Sequence, residues 1–423
     1  MTQQNRRQFV QTASAAVAAP LILSNSSAYA APSERISIGV IGVGMMGRGH
    51  LGRFLRFKDV QITAIAEVEP TRRKNAQKRT NDYYAKNRKK GGYKGCDVTT
   101  DFRKLLERKD IDAVVIATPD HWHVCQAAMA ARHGKDIYCE KPLTHSILEG
   151  RKLVNLVRKH KIVFQTGSQQ RSEFRGRFRR AVELVRNGYL GKIKTVRIGV
   201  GPPPVPCDLP TQEVPAGLDW NMWVGPAPLR GYNEILCPKG MHRHFPAFRK
   251  YREFAGGSLA DMGAHHFDIA QWALAMDNSG PVLVEPPKTG NTGLKFTYAN
   301  GVVMYHGGPT DCLFEGEKGK LFVSRGKIRT DPGDILKTKI GKDEFHVQPS
   351  NNHGRNWIDS VKSRKMPICD VEIGHRSASI CHLANLGYRL RRTLKWDPKR
   401  EVFANDEEAN GLRFREPRKP WTI

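Results

Sequence analysis

A short glycine-rich turn constrains the fold of this chain more than any other feature. Residues 36–41 form an apolar, partly β-branched run, and the next six read Gly-Val-Gly-Met-Met-Gly before a helical stretch over residues 48–57. Gly42 permits a tight turn, Gly44 lets the backbone approach a pyrophosphate, and Gly47 lets the helix pack on the strand. The free N–H groups at the start of the helix favour an anion. The pattern predicts a dinucleotide-binding unit made of a strand, a turn and a helix.

An acidic residue after the second predicted strand bears on the choice of nucleotide. The strand covers residues 60–66 and leads into Glu67, twenty residues after Gly47. A carboxylate there accepts hydrogen bonds from ribose hydroxyls and would repel a 2′-phosphate, which favours NAD over NADP. Arg72 and Arg73 follow closely and could instead receive that phosphate, so NADP stays open.

Strands and helices alternate along the first part of the chain, which predicts a doubly wound α/β sheet. Further strands are predicted over residues 112–117, 136–139 and 162–164, with helices over residues 101–108, 121–133 and 146–160. Ligands bind such sheets at the carboxyl ends of the strands. Thr118 and Pro119 lie at one such end, and Glu140, Lys141 and Pro142 lie at another. We therefore assign residues 31–165 to a nucleotide-binding Rossmann domain.

The remaining residues, 166–423, are assigned to a second α/β domain. Residues 201–215 are rich in proline and are predicted to form a loop. Short alternating runs over residues 302–329 predict antiparallel strands. Helices are predicted over residues 353–364 and 374–391.

The first thirty residues have the order of an export signal. Arg6, Arg7 and Phe9 precede an Ala-rich apolar stretch, and residues 28–30 read as an A-x-A cleavage site. The arginine pair resembles the twin-arginine signal in particular. The apolar run is shorter than the span of about 20 residues that a stable membrane helix needs. We expect cleavage after Ala30 and a periplasmic or equivalent location. Because this route carries folded proteins, we also expect a tightly bound cofactor.

The formal net charge of +28 predicts attraction to anionic partners. Residues 71–94 carry ten Lys or Arg side chains against the single acid Asp82. Because Tyr83, Tyr84 and Tyr93 are the segment's only aromatic residues, a solvated basic face is favoured over a nucleic-acid site. We expect no nucleic-acid partner, and an anionic glycan stays open. The eight cysteines include no C-x-x-C pair, so neither a zinc knuckle nor a dithiol motif is indicated.

Four motifs, in this order, resemble those of the Gfo/Idh/MocA superfamily of oxidoreductases. They are the turn at 42–47, Ala117-Thr118-Pro119 with His123, Glu140-Lys141-Pro142, and Asp261-Met262-Gly263-Ala264-His265 with Asp268. The resemblance implies an N-terminal Rossmann domain and a C-terminal α/β domain with an open, mainly antiparallel sheet. It also implies a homo-oligomer, a dimer or tetramer, that usually forms through this sheet.

The resemblance places Lys141 between nicotinamide and substrate as a catalytic residue. A partly desolvated lysine at a strand end can donate to a substrate hydroxyl and lower its pKa. Asp261 and His265 are four residues apart and share one face of a helix. We expect Asp261 to orient His265 and to stabilise its protonated form, which makes His265 the general base. His266 and Asp268 could add metal ligands, but adjacent histidines point about 100° apart on a helix, so no metal is expected.

The predicted binding residues extend this set along both domains. The predicted cofactor-binding residues are Gly42, Gly44, Met45, Met46, Gly47, Glu67, Thr118, Pro119, His123, Glu140, Lys141 and Gln169. The predicted substrate-binding residues are Arg171, Trp223, His242, Arg243 and His266. Basic, polar and aromatic side chains together suit a polyol held by hydrogen bonds and ring stacking. Residues 219–226 also resemble a segment found near the active site in the exported sugar-oxidoreductase branch.

Three functions fit these residues. The leading hypothesis is an exported NAD(P)-dependent oxidoreductase that transfers a hydride between nicotinamide and a sugar, a sugar derivative or a glycan end. The second is an NAD-dependent glycoside hydrolase of the same superfamily, for example acting on N-acetylhexosaminides by redox-neutral oxidation and elimination. The third is a non-catalytic sugar-binding protein, which would be expected to have lost part of the Lys, Asp and His set.

Overall fold

The computed structural model describes residues 34–88 and 93–423 of the chain. The predicted export signal and its cleavage site after Ala30 lie outside the described residues. Two sheets organise the rest, one of six strands and one of eight. Within the described ranges, no helix combines the length and the apolar character needed to cross a membrane.

The first sheet is parallel, with the strand order β3-β2-β1-β4-β5-β6. This order is that of a doubly wound dinucleotide-binding fold and confirms the predicted fold class. Its elements are β1 (Ile36–Ile41), α1 (Met45–Leu55), β2 (Val60–Ala66), α2 (Pro70–Asn87), β3 (Asp97–Thr99), α3 (Phe102–Leu106), β4 (Ala113–Ile116), α4 (Asp120–Arg132), β5 (Asp136–Cys139), α5 (Ile147–Lys159) and β6 (Phe164–Thr166). All residues of β4 and β5 are buried, as expected of parallel strands covered by helices on both faces.

The second sheet has the order β12-β11-β10-β9-β8-β13-β14, and β7 pairs with β10. Its neighbouring strands are antiparallel. The elements of this part are α6 (Arg177–Arg186), β7 (Ile193–Gly199), α7 (Trp220–Val224), α8 (Gly257–Ala273), β8 (Leu283–Glu285), β9 (Lys295–Thr297), β10 (Val303–Gly316), β11 (Lys320–Val323), β12 (Ile328–Asp331), α9 (Asp334–Lys337), α10 (His353–Ser363), α11 (Val371–Leu390), β13 (Leu394–Asp397), β14 (Val402–Phe403) and α12 (Glu407–Gly411).

Over residues 302–329, where short antiparallel strands are expected, the structure has the long strand β10 followed by β11 and β12. Gly307 and Gly308 have φ values of 115° and 116°, which glycine adopts readily and other residues avoid. The register of β10 against β7 shifts around this point, so β7 pairs with residues on both sides of it.

Two late segments of the chain complete the core of the first domain. Trp357 and Ile358 of α10 are fully buried in the apolar cluster that contains β1 residue Ile38. The Trp421 ring packs against Trp122, with ring centroids 4.7 Å apart. The carboxyl ends of the first sheet face α8 and the loops around it, and a cavity lies between them.

Candidate active site

A cavity of about 400 Å³ separates the carboxyl ends of the first sheet from α8. Many of the sequence-predicted site residues line it: Gly42, Gly44, Met45, Met46, Glu67, Thr118, Pro119, Glu140, Lys141, Gln169, Trp223, His242, Asp261 and His265. Five predicted residues do not line it: Gly47, His123, Arg171, Arg243 and His266. Residues that are far apart in the chain therefore line one cavity, at the position where such sheets bind ligands.

The glycine turn leaves room for a phosphate group. Gly42 has a φ of +83°, and a Cβ at Gly47 would lie 2.0 Å from Gly42 O, so the turn and helix α1 pack too closely for a side chain. A Cβ at Gly44 would meet no atom within 4 Å. Gly44 is the N-cap of α1 and offers no side-chain cap to the first amides of the helix. These residues fit the pyrophosphate of a dinucleotide, with Gly47 acting through packing.

Glu67 joins the glycine turn to the end of β2. Its Oε2 accepts a hydrogen bond from Val43 N at 2.8 Å, and its Oε1 accepts one from Glu69 N at 3.0 Å. Arg72 Nε donates to Gly240 O at 2.9 Å, and Arg73 Nη1 donates to Glu67 O at 2.7 Å. Both arginines that the sequence left open for a 2′-phosphate are thus bonded to backbone carbonyls, and the arrangement favours NAD.

Lys141 extends from the end of β5 to helix α8 of the second domain. Its Nζ donates to Asp261 Oδ1 at 2.6 Å and to Asp261 O at 2.7 Å. Arg249 Nε lies 3.4 Å from the same Oδ1. Although burial opposes ionisation, the adjacent Lys141 ammonium and Arg249 guanidinium hold the pKa of Asp261 below its ordinary value. Two of the three donors of the Lys141 ammonium are occupied, which leaves one for a ligand.

His265 also lines the cavity, but the expected pairing with Asp261 is wrong. The Asp261 carboxylate faces Lys141, and His265 Nδ1 has no hydrogen-bond partner among the described residues. Burial, with the positive charges of Lys141 and Arg325 nearby, lowers the pKa of His265 well below its ordinary value. The imidazole is therefore neutral, and its protonated form is disfavoured where the sequence had predicted it to be stabilised.

Buried polar contacts hold the floor of the cavity. Glu140 Oε1 accepts from Gln169 Nε2 at 2.7 Å and lies 2.7 Å from His50 Nε2. Gln169 Nε2 is also 3.0 Å from the Tyr138 hydroxyl. Although burial opposes ionisation of Glu140, His50 and Lys141 hold the pKa of its carboxyl below the ordinary value. Glu140 thus remains charged beneath Lys141.

His123 is corrected from a cofactor contact to a positioning residue. Its Nδ1 lies 2.7 Å from Pro142 O and its Nε2 lies 2.9 Å from Thr118 O. The ring is 1% exposed and lies behind the cavity wall. It therefore ties together the two strand-end loops that carry Thr118 and Lys141.

Two predicted substrate contacts are also corrected, and a third, Arg243, does not line the cavity. Arg171 is 1% exposed, and its Nη2 lies 2.8 Å from Asp268 Oδ1 and 2.6 Å from Asp277 Oδ1. His266 is buried, with Nε2 3.3 Å from Asp311 Oδ1. Arg171 and His266 are thus held within the second domain, and Arg243 is exposed outside the cavity. Within residues 34–88 and 93–423, no group of three or more His, Cys, Asp or Glu side chains is arranged to hold a metal ion.

Sequence reasoning missed several charged residues of the cavity. Arg53, Asp120, Glu173, Arg249 and Arg325 all line it. Asp120 follows the Thr118-Pro119 motif at the start of α4, so the strand-end argument could have found it. Burial raises the pKa of Asp120 to about 7. Arg325 lies in the turn between β11 and β12, where no motif marks it.

Comparisons with known sequences agree with this geometry. Residues 36–168 match the family described as "Oxidoreductase family, NAD-binding Rossmann fold", and residues 206–423 match "Oxidoreductase family, C-terminal alpha/beta domain". The chain is 30% identical over 325 residues to "Uncharacterized oxidoreductase YrbE" of Bacillus subtilis (strain 168), covering 74% of this chain and 79% of that protein. It is 32% identical over 165 residues to "Glycosyl hydrolase family 109 protein 2" of Shewanella sp. (strain ANA-3), covering 38% and 34%.

Solved structures share the fold at low identity. Aldose-aldose oxidoreductase from Caulobacter crescentus, complexed with glycerol, has a TM-score of 0.58 at 17% identity, covering 85% of this chain and 99% of that one. Levoglucosan dehydrogenase in complex with NADH has a TM-score of 0.55 at 19% identity, with the same coverage of 85% and 99%.

Proposed function

The chain belongs to the Gfo/Idh/MocA oxidoreductase family, and from this membership we propose that it is an exported enzyme that transfers a hydride between NAD and a sugar, a sugar derivative or a glycan end. The carbohydrate substrate is supported by the names of structural neighbours, an aldose-aldose oxidoreductase and a levoglucosan dehydrogenase. It is also supported by the polar and aromatic side chains of the cavity.

One observation carries the proposal: Lys141 and His265 line the same cavity as the glycine turn, although they come from different domains. Gly42, Gly44 and Glu67 would hold the dinucleotide. When bound, its nicotinamide supplies the hydride acceptor or donor.

The chain's own residues manage the proton of the reacting hydroxyl. The third N–H of the Lys141 ammonium donates to the substrate oxygen and stabilises negative charge that develops on it. Neutral His265 accepts the hydroxyl proton, and it returns that proton in the reverse direction. Asp261 acts as a positioning residue, because it fixes the Lys141 ammonium at 2.6 Å.

The direct test is to add NAD and a panel of aldoses and polyols to the purified protein and to follow nicotinamide absorbance. We expect at least one sugar to reduce the cofactor in the native chain and none to do so in Lys141→Met. A matched control is Lys159→Met, since Lys159 is exposed at the end of α5. No reduction with any sugar, in a protein that binds NAD, would contradict the proposal.

A glycoside hydrolase is the second candidate, favoured by the similarity to a family 109 protein over 165 residues. In that chemistry, transient oxidation at C3 of the sugar acidifies the hydrogen at C2, and the aglycone leaves by elimination. Water then adds, and reduction of the C3 ketone returns the cofactor to its oxidised form. Lys141 and His265 would serve both the oxidation and the reduction at C3. Release of nitrophenol from a nitrophenyl glycoside, without net accumulation of NADH and abolished in Lys141→Met, would favour this function.

We also propose export through the twin-arginine route, a tightly retained cofactor and a homo-oligomer, either dimer or tetramer. Outside the cytoplasm a free nicotinamide pool is not expected, so retention through turnover would require a second substrate to reset the cofactor. N-terminal sequencing of the exported protein is expected to begin at Ala31, and replacement of Arg6 and Arg7 by lysine is expected to block export. Multi-angle light scattering of the mature chain tests the oligomer, and a monomer would contradict it.

A further inference from the structure

One cation of the catalytic cavity differs from the others in its surroundings. The other Lys and Arg side chains lining the cavity each face a carboxylate: Arg53 that of Glu173, Lys141 and Arg249 that of Asp261, and Arg72 that of Glu69. Arg325 lines the same cavity. Across the part of the chain that the structure describes, no carboxylate oxygen lies within 4.0 Å of its guanidinium nitrogens.

Contacts with its neighbours fix Arg325 and leave its terminal nitrogens available. Arg325 lies in the turn between β11 and β12, where the Ser324 hydroxyl accepts a hydrogen bond from Gly326 N at 3.2 Å. Arg325 Nε donates to Gln170 Oε1 at 3.0 Å, and the guanidinium carbon lies 5.1 Å from the centre of the Phe174 ring. Among described residues, Nη1 and Nη2 have no hydrogen-bond acceptor.

Arg325 also lies on the reacting side of the cavity. Gln170, which holds its Nε, donates through Nε2 to His265 O at 3.3 Å. The guanidinium is close enough to contribute to the lowered pKa of His265. A group bound to Nη1 and Nη2 would therefore belong to a molecule that also reaches His265.

We propose that the substrate is an anionic sugar and that Arg325 binds its carboxylate or sulfate group. A planar guanidinium with two free terminal nitrogens matches the paired oxygens of either group. Arg325 is exposed at the cavity, and the nearest carboxylates act on it only from beyond ion-pair distance. A neutral sugar would form no ion pair with its guanidinium, whereas an acidic sugar would. The inference rests on the proposed function, since it names the class of sugar that the Lys141 and His265 site receives.

The test compares matched sugars by isothermal titration calorimetry on the NAD-loaded protein at constant ionic strength. The probes are glucuronate, galacturonate and glucose 6-sulfate, each against its neutral hexose. We expect the native chain to bind at least one acidic member about 10-fold to 100-fold more tightly than its neutral partner. Comparing the uronates with the sulfate ester shows whether the site prefers a carboxylate or a sulfate group.

Variants assign the preference to one side chain. Arg325→Gln is expected to remove the preference for the acidic sugar and to leave NAD affinity unchanged, and Arg325→Lys is expected to retain part of it. Arg329→Gln is the matched control, because Arg329 is exposed on β12 of the same hairpin and does not line the cavity. Thermal melting checks that each variant is folded.

Three results would overturn the proposal. These are equal binding of acidic and neutral sugars by the native chain, a preference that survives Arg325→Gln, and a loss of NAD affinity in Arg325→Gln, which would assign the guanidinium to the cofactor. If no sugar of either class binds, the carbohydrate function itself is contradicted, so the two failures are distinguishable.

Discussion

Lys141 Nζ lies 2.6 Å from Asp261 Oδ1, so the end of a strand in one domain is joined to a helix of the other by an ion pair that lines the cavity. The side chains are 12% and 27% exposed, a degree of burial at which such a pair is less screened than on the surface. The pair sets the position of the ammonium and leaves His265 free of a carboxylate partner.

Asp261→Asn is expected to lower kcat by about 10-fold to 100-fold, because it removes the charge that fixes Lys141. Lys141→Met is expected to cost more, about 100-fold to 10,000-fold in kcat/KM. NAD affinity, measured by fluorescence titration, is expected to change little in both variants. Full activity in Asp261→Asn would contradict the positioning role.

Gly44→Ala and Gly47→Ala test the turn as a matched pair. At Gly47 a Cβ would lie 2.0 Å from Gly42 O, so the alanine variant is expected to lose at least about 2 kcal/mol of unfolding free energy. At Gly44 a Cβ would meet no protein atom within 4 Å, so the variant is expected to fold normally and to bind NAD at least about tenfold more weakly. Denaturant unfolding and NAD titration measure the two effects. Unchanged NAD affinity in folded Gly44→Ala would contradict the assigned cradle.

The choice of cofactor is expected to depend on Glu67. The native chain is expected to bind NAD at least about tenfold more tightly than NADP, because the carboxylate repels a 2′-phosphate and Arg72 is bonded to Gly240 O. Glu67→Gln is expected to weaken this discrimination. Titration with both cofactors measures this discrimination, and tighter binding of NADP by the native chain would contradict the role of Glu67.

Arg171→Leu is expected to reduce stability and leave substrate binding unchanged. Removing the guanidinium leaves the buried Asp268 carboxylate without its main partner, at a cost of about 3–5 kcal/mol. Arg243→Leu, at an exposed position outside the cavity, is the control and is expected to cost little. Chemical unfolding measures both. A raised KM in Arg171→Leu with unchanged stability would restore the sequence-based interpretation of Arg171 as a substrate contact.

Stability is expected to fall as the pH drops from 7 to 5. Burial lowers the pKa of His121, His266 and His382 to about 3 and that of His353 to about 4. Below the ordinary histidine pKa of about 6.5, the unfolded chain binds protons that the folded chain does not, which costs about 2 kcal/mol per group at pH 5. Asp120, with its pKa raised to about 7, acts in the opposite direction. Among the described residues, histidines with lowered pKa values outnumber carboxyls with raised ones, so a free energy of unfolding that is constant or higher at pH 5 would contradict these burial states.

The alternation of strand and helix patterns is sufficient to predict the doubly wound sheet. Its strands can be recognised because a parallel strand covered on both faces is a continuous apolar run. The second sheet was harder to predict. Gly307 and Gly308 interrupt the alternation of β10, where its register against β7 also shifts, so one strand resembles two in the sequence.

Within the site, the strand-end rule located Thr118, Glu140 and Lys141. This rule does not predict which side chains the site residues contact. The four-residue spacing places Asp261 and His265 on one helical face, yet the carboxylate binds Lys141, which is 120 residues away. Arg171, predicted as a substrate contact, likewise binds Asp268, which is 97 residues away. Such choices are decided by tertiary contacts that spacing does not encode.

The proposed function requires this cavity to hold a nicotinamide cofactor against Lys141 and His265. This is measured by mass spectrometry of the nucleotide released when the purified, folded protein is denatured, followed by NAD titration of a folded sample that holds no nucleotide. NAD is expected in near-stoichiometric amount or, after loss in purification, saturable rebinding of NAD is expected that Gly44→Ala weakens. A chain that releases no nucleotide and binds neither NAD nor NADP would contradict the proposed function.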